Sequence, residues 1–65
     1  MIIQLNGAEH ETQVSTVSAL VTELKMTGRL IAVEAEGQVL RKEDWEQCEL
    51  APGMAIEIVH FVGGG

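Results

Sequence analysis

Ser15-Thr16-Val17-Ser18-Ala19-Leu20-Val21-Thr22-Glu23-Leu24 is the stretch on which the fold turns. Val17, Leu20, Val21 and Leu24 fall at i, i+3, i+4 and i+7, one apolar stripe at the period of an α-helix. Ser18, Thr22, Glu23 and Lys25 sit off that stripe. Ser15 or Thr16 can cap the start. Gly28 suits the left-handed position that ends a helix, with Lys25 and Arg29 near its negative pole. That makes a helix of about three turns. No other long helix is convincing, so the helix covers one face of whatever sheet flanks it.

Strands surround it. Ile2 to Leu5 is a short β-prone run stopped by Asn6-Gly7, the strongest two-residue signal for a type I′ hairpin. A mostly polar strand, a wet edge, returns from Glu9 to Val14. Leu30 to Ala35 reads as a third strand with Ile31 and Val33 on one face. Glu36-Gly37 turns the chain into a brief strand at Gln38 to Leu40. Arg41 to Cys48 is a charged helical turn or ordered loop anchored by Trp45. Ala51-Pro52-Gly53-Met54 has Pro and Gly at the centre of a type II turn. A last strand runs from Ala55 to Val62, and Gly63, Gly64 and Gly65 follow. The expected core is Ile3, Leu5, Val17, Leu20, Val21, Leu24, Ile31, Val33, Leu40, Trp45, Leu50, Ile56 and Ile58.

The order β-β-α-β-β-(turn)-β predicts an α+β fold, a mixed sheet of four to five strands with one helix across one face. Sixty-five residues suffice for one domain, here 1–62, plus a flexible glycine tail, 63–65. Hydrophobic residues are 46% of the chain, too many for a disordered sequence. No apolar run approaches the ~20 residues that span a bilayer, and no signal peptide is visible. Four basic residues against ten acidic leave a net charge of −6, which disfavours nucleic acid and reads as solubility or, more sharply, as a face for a basic partner. The single cysteine, Cys48, forms no internal disulfide, so the expected compartment is the cytoplasm.

The catalytic inventory is thin. The chain has no HExxH, CxxC, nucleophile elbow or phosphate-cradling glycine loop. His10, His60 and Cys48 cannot supply a closed four-ligand zinc site, and no base stands beside Cys48. The expectation is therefore a protein without intrinsic catalysis, bound metal or bound cofactor. The glycine ending is different. A glycine acyl carbon is unhindered once its carboxylate carries a good leaving group, and glycines adopt any φ that a narrow tunnel demands. A folded handle with such a tail is a carrier design. In the last strand Ile56 and Ile58 face the helix by alternation. Glu57, Val59 and Phe61 are left on the other face as a small apolar patch with an acidic rim.

A one-helix domain ending in Gly64-Gly65 resembles the ubiquitin-like β-grasp proteins. Ile31-Ala32-Val33-Glu34, Gly37-Gln38-Val39-Leu40-Arg41, Trp45, Leu50-Ala51-Pro52-Gly53 and Ile56 to Gly65 are similar to the small sulfur carriers of thiamine biosynthesis. Departures fall at Glu36, Leu40 and Met54, where that family often has Asn, Pro and an acidic residue. The resemblance implies central, parallel first and last strands. It also implies that an ATP-using, ubiquitin-activating-type enzyme adenylates the carboxylate of Gly65. Sulfur from a cysteine desulfurase persulfide then gives a thiocarboxylate, which thiazole synthase accepts. Gly65 is then the acyl site, and Gly63 and Gly64 supply the reach. The face of Glu57, Val59 and Phe61, read from alternation and not from the resemblance, is expected to bind both the activating enzyme and thiazole synthase, the alternative being that it only covers the open sheet. The free chain is expected to be a monomer. A molybdopterin-synthase small subunit, a lysine-modifying ubiquitin-like protein and an interaction module with an inert tail remain rivals.

Overall fold

A computed structural model describes residues 1–61. Along the chain come β1 (Ile2–Leu5), β2 (Ala8–Glu11), α1 (Val17–Glu23), β3 (Ile31–Ala35), β4 (Gln38–Leu40), a 3₁₀ turn (Lys42–Asp44) and β5 (Ala55–His60). The strands form one mixed sheet in the order β2-β1-β5-β3-β4. β1 and β5 are neighbours and run parallel, with Gln4 opposite Ala55 and Leu5 opposite Ile56. The other three pairings are antiparallel. This is the expected α+β architecture.

Two hairpin turns of one type shape the sheet. Asn6 and Gly7 take φ of 51° and 82°, and Glu36 and Gly37 take 52° and 82°. Both central residues of a type I′ turn need positive φ, and its twist matches that of the flanking strands. The two turns close β1–β2 and β3–β4. Gly53, at φ 78°, completes the Pro-Gly turn, in which the Met54 N–H donates to the Ala51 carbonyl at 3.0 Å.

The helix is shorter than its apolar stripe suggests. Thr16 is the cap, its hydroxyl accepting from the Ala19 N–H at 3.1 Å. The other end closes at Leu24, with Lys25 rather than Gly28 in the left-handed position, at φ 60°. The Lys25 and Met26 N–H groups donate to the carbonyls of Thr22 and Val21, the paired bonds of a Schellman motif. Met26 packs on the core and so draws the chain inward. Gly28, at φ 81°, instead serves the next turn, where the Arg29 N–H donates to the Met26 carbonyl. Strand ends also move. β2 stops at Glu11 and not Val14, and β3 starts at Ile31 and not Leu30.

Between helix and sheet lies the core of Ile3, Val17, Leu20, Val21, Val33, Ala35, Leu50, Ile56 and Ile58. Leu5, Leu24, Ile31, Leu40 and Trp45, also expected there, pack against it while partly exposed. Full burial of a Val, Leu or Ile side chain in that core contributes about 1.5–3 kcal/mol. Thr12 is buried too, its hydroxyl donating to Glu23 and accepting from the Val14 N–H. Val62, at the end of the expected domain, and the glycine tail 63–65 lie outside the described residues.

Candidate functional site

Strand β5 alternates cleanly. Ile56 and Ile58 are buried, while Glu57, Val59 and Phe61 are exposed on the opposite face. The alternation follows from the two-residue period of a strand and from the helix covering one side. Val59 is 48% exposed and Phe61 51%, high for side chains of this kind on a central strand.

Neighbouring strands extend the patch. Ala32 on β3 lies opposite Val59, and Glu34 lies opposite Glu57. Just outside the ladder, the Phe61 N–H donates to the Leu30 carbonyl at 2.9 Å. That bond continues the register by one rung and puts Leu30 on the same face as Phe61. Leu30, in the sequence only the first residue of an expected strand, is 68% exposed. The sequence alone does not single it out, because its place opposite Phe61 depends on the register of β3 against β5. Ile2 on the neighbouring β1 and Val39 on the edge strand β4 add exposed apolar side chains to the same face.

The charged side chains on this face are all acidic, and one of them, Glu11, is paired with the Met1 ammonium at 3.0 Å. Alternation brings Glu9 and Glu11 of β2 to it, opposite Gln4 and Ile2, along with Glu34 and Glu57. The five strands contain no Lys or Arg. The four cationic side chains, Lys25, Arg29, Arg41 and Lys42, all lie outside the strands, and Arg41 pairs with Glu43 and Asp44. The open face is thus apolar at the end of β5 and acidic around it.

β5 itself is held from both sides by the two hairpin turns. The Asn6 N–H donates to the Ile56 carbonyl at 2.9 Å, and the Asn6 Oδ1 accepts from the Ile58 N–H at 2.8 Å. Across the strand, the Glu36 N–H donates to the Ala55 carbonyl at 2.8 Å, and the Glu36 carboxylate accepts from the Ala55 N–H at 2.6 Å. The departure at Glu36 therefore keeps the turn and adds a charged acceptor to it.

The remaining candidates stay apart. His10 is on β2, where its Nε2 lies 3.1 Å from Glu23 Oε1, while His60 is exposed at the end of β5. The His10 contact and the Thr12 hydroxyl hold the Glu23 carboxyl below its ordinary range. Cys48 is partly buried beside the core. Among the described residues no three His, Cys, Asp or Glu side chains gather into a metal site, and no pocket forms. No helix is long and apolar enough to cross a membrane. Gly63, Gly64 and Gly65 lie outside the described residues.

Known proteins are similar to this chain over nearly all of its sequence. Residues 2–65 fit the ThiS family. The sulfur carrier protein ThiS of Bacillus subtilis (strain 168) is 33% identical over 66 residues, covering 98% of this chain and all of the relative. A thiazole synthase of Paramagnetospirillum magneticum (strain AMB-1) is 38% identical over 66 residues, all of this chain but 20% of that protein. The crystal structure of a thiamine biosynthesis protein (ThiS) from Geobacter metallireducens superposes with a TM-score of 0.83. It is 30% identical, with both chains fully covered.

Proposed function

This chain belongs to the ThiS family of sulfur carriers, and we propose that its working atom is the terminal carbonyl carbon of Gly65. A ubiquitin-activating-type enzyme joins the Gly65 carboxylate to AMP, releasing pyrophosphate from ATP. The outer sulfur of a persulfide, supplied from a cysteine desulfurase, then displaces AMP to form an acyl persulfide, and a thiol reductant cleaves its S–S bond, leaving the thiocarboxylate and a disulfide. Thiazole synthase takes that sulfur, and the carrier returns as a carboxylate. The chain is the co-substrate of these enzymes and binds no cofactor of its own. It acts in the cytoplasm, as a monomer between encounters.

One observation carries the reading: the apolar part of the open sheet face, Leu30, Val59 and Phe61, lies at the end of β5 that leads to the glycines. An enzyme that draws Gly63, Gly64 and Gly65 into a tunnel meets this patch at the tunnel mouth. Glu57 and the other face carboxylates favour a partner with a basic rim. A thiazole synthase of which one fifth is similar to this chain supports that enzyme as the acceptor.

Intact mass spectrometry tests the tail chemistry. After incubation with the cognate adenylating enzyme, ATP and a sulfur source, the chain should gain the mass difference between sulfur and oxygen. A chain lacking Gly65 should gain nothing. Unchanged mass of the full chain overturns the proposal, and a stable adduct on a protein lysine assigns it to the modifiers instead.

A further inference from the structure

β5 outruns its parallel neighbour, and the surplus leaves one stretch of edge open. β1 ends at Leu5, opposite Ile56, and the chain turns away at Asn6-Gly7, while β5 continues to His60. The two sides of β5 can be separated by bonding. Residues 55, 57, 59 and 61 face β3: Glu34 and Ala32 lie opposite Glu57 and Val59, and the Phe61 N–H reaches Leu30. Residues 56, 58 and 60 present their backbone groups to the β1 side. There the Ile56 carbonyl accepts from the Asn6 N–H, and the Ile58 N–H donates to the Asn6 side chain. Asn6 is the last partner. Past it, the Ile58 carbonyl and the His60 N–H and carbonyl have none among the described residues.

We infer that this open edge pairs with an extended segment of thiazole synthase, which adds as a short strand in line with β1. The inference rests on the carrier reading above. Three groups in the order acceptor, donor, acceptor, spaced by the repeat of one strand, match another extended backbone about 4.8 Å away. Val59 and Phe61 border the edge on the open face, so the added strand lays apolar side chains over them. A second copy of this chain is a poor occupant, because net charge −6 and four face carboxylates oppose each other across such a pairing. An enzyme wall already wrapped around the glycines brings backbone to this place without further loss of freedom.

Amide hydrogen exchange on the full chain, alone and bound to cognate thiazole synthase, tests the pairing. The His60 amide should exchange freely in the isolated chain and slow by at least about tenfold in the complex. His60→Pro removes the donor but leaves the Phe61–Leu30 bond, and should weaken binding about five- to tenfold. His60→Ala keeps the donor and should stay within about twofold of the original chain. A complex in which His60 exchanges as in the free chain overturns the edge pairing and leaves the carrier reading standing. Equal losses for Pro and Ala do the same, since they assign the effect to the imidazole. Protection already present in the isolated chain, whether constant or rising with concentration, gives the edge to the chain itself or to a second copy and also overturns it. Absence of any complex removes the carrier reading and this inference together. Should His60→Pro fail to fold, the exchange measurement on the unaltered chain decides alone.

Discussion

Lys25 carries backbone strain and Glu23 a stabilising charge interaction, and single substitutions can read both. Lys25 stands in the left-handed region at φ 60°, which disfavours any residue with a Cβ. Lys25→Gly should raise unfolding stability by about 0.5–1 kcal/mol, seen as a higher urea midpoint at unchanged slope. Glu23 links α1 to β2 through His10 and Thr12, and its carboxyl titrates below the ordinary value of 4.5 because those partners favour the charged form. A carboxyl whose folded pKa is depressed stabilises the fold above its unfolded pKa. The contribution disappears as pH falls from about 4.5 through the lower folded value. Glu23→Gln should therefore flatten the loss of stability in that acid window and leave a smaller pH dependence in urea titrations.

Among the elements, the hairpin turn at Asn6-Gly7 does more than reverse the chain. Its side chain takes the bond that a longer β1 would have made to Ile58. Asn6→Ala should cost about 2 kcal/mol, from backbone strain at positive φ together with an unpaired strand N–H. Asn6→Gly relieves the strain and should cost about 1 kcal/mol, so the pair of variants separates the two causes. Such turns, the amphipathic stripe and the Pro-Gly reversal were legible because each is a local rule obeyed by adjacent residues. The end of α1 was not. Gly28 is the better left-handed residue in isolation, and Lys25 prevails because the Schellman bonds and the packing of Met26 close the helix earlier. Thr12 was missed for a related reason: in a polar strand it reads as surface, and only the docking of α1 with Glu23 buries it. Glu57, Val59 and Phe61 followed from simple alternation, whereas Leu30 required the register of β3 against β5.

For the molecule as a whole, one sheet face is filled by the helix and the other is left for a partner. Val59→Ser with Phe61→Ser should weaken binding to thiazole synthase and to the adenylating enzyme by tenfold or more. Each lost apolar contact accounts for about 1–2 kcal/mol. The unfolding midpoint should hardly move, since neither side chain belongs to the core. Calorimetry or surface binding checks both statements. The charge of −6 adds a dependence on ionic strength, and association should slow as salt screens the acidic rim.

The side-by-side course of β1 and β5 also has a mechanical meaning. Because they run in the same direction, a tug on the end of β5 against an anchored Met1 slides one strand along the other. The Gln4–Met54, Asn6–Ile56 and Asn6–Ile58 bonds then bear the load together rather than opening one after another like a zipper. The domain can be hauled by its trailing end without unravelling from it.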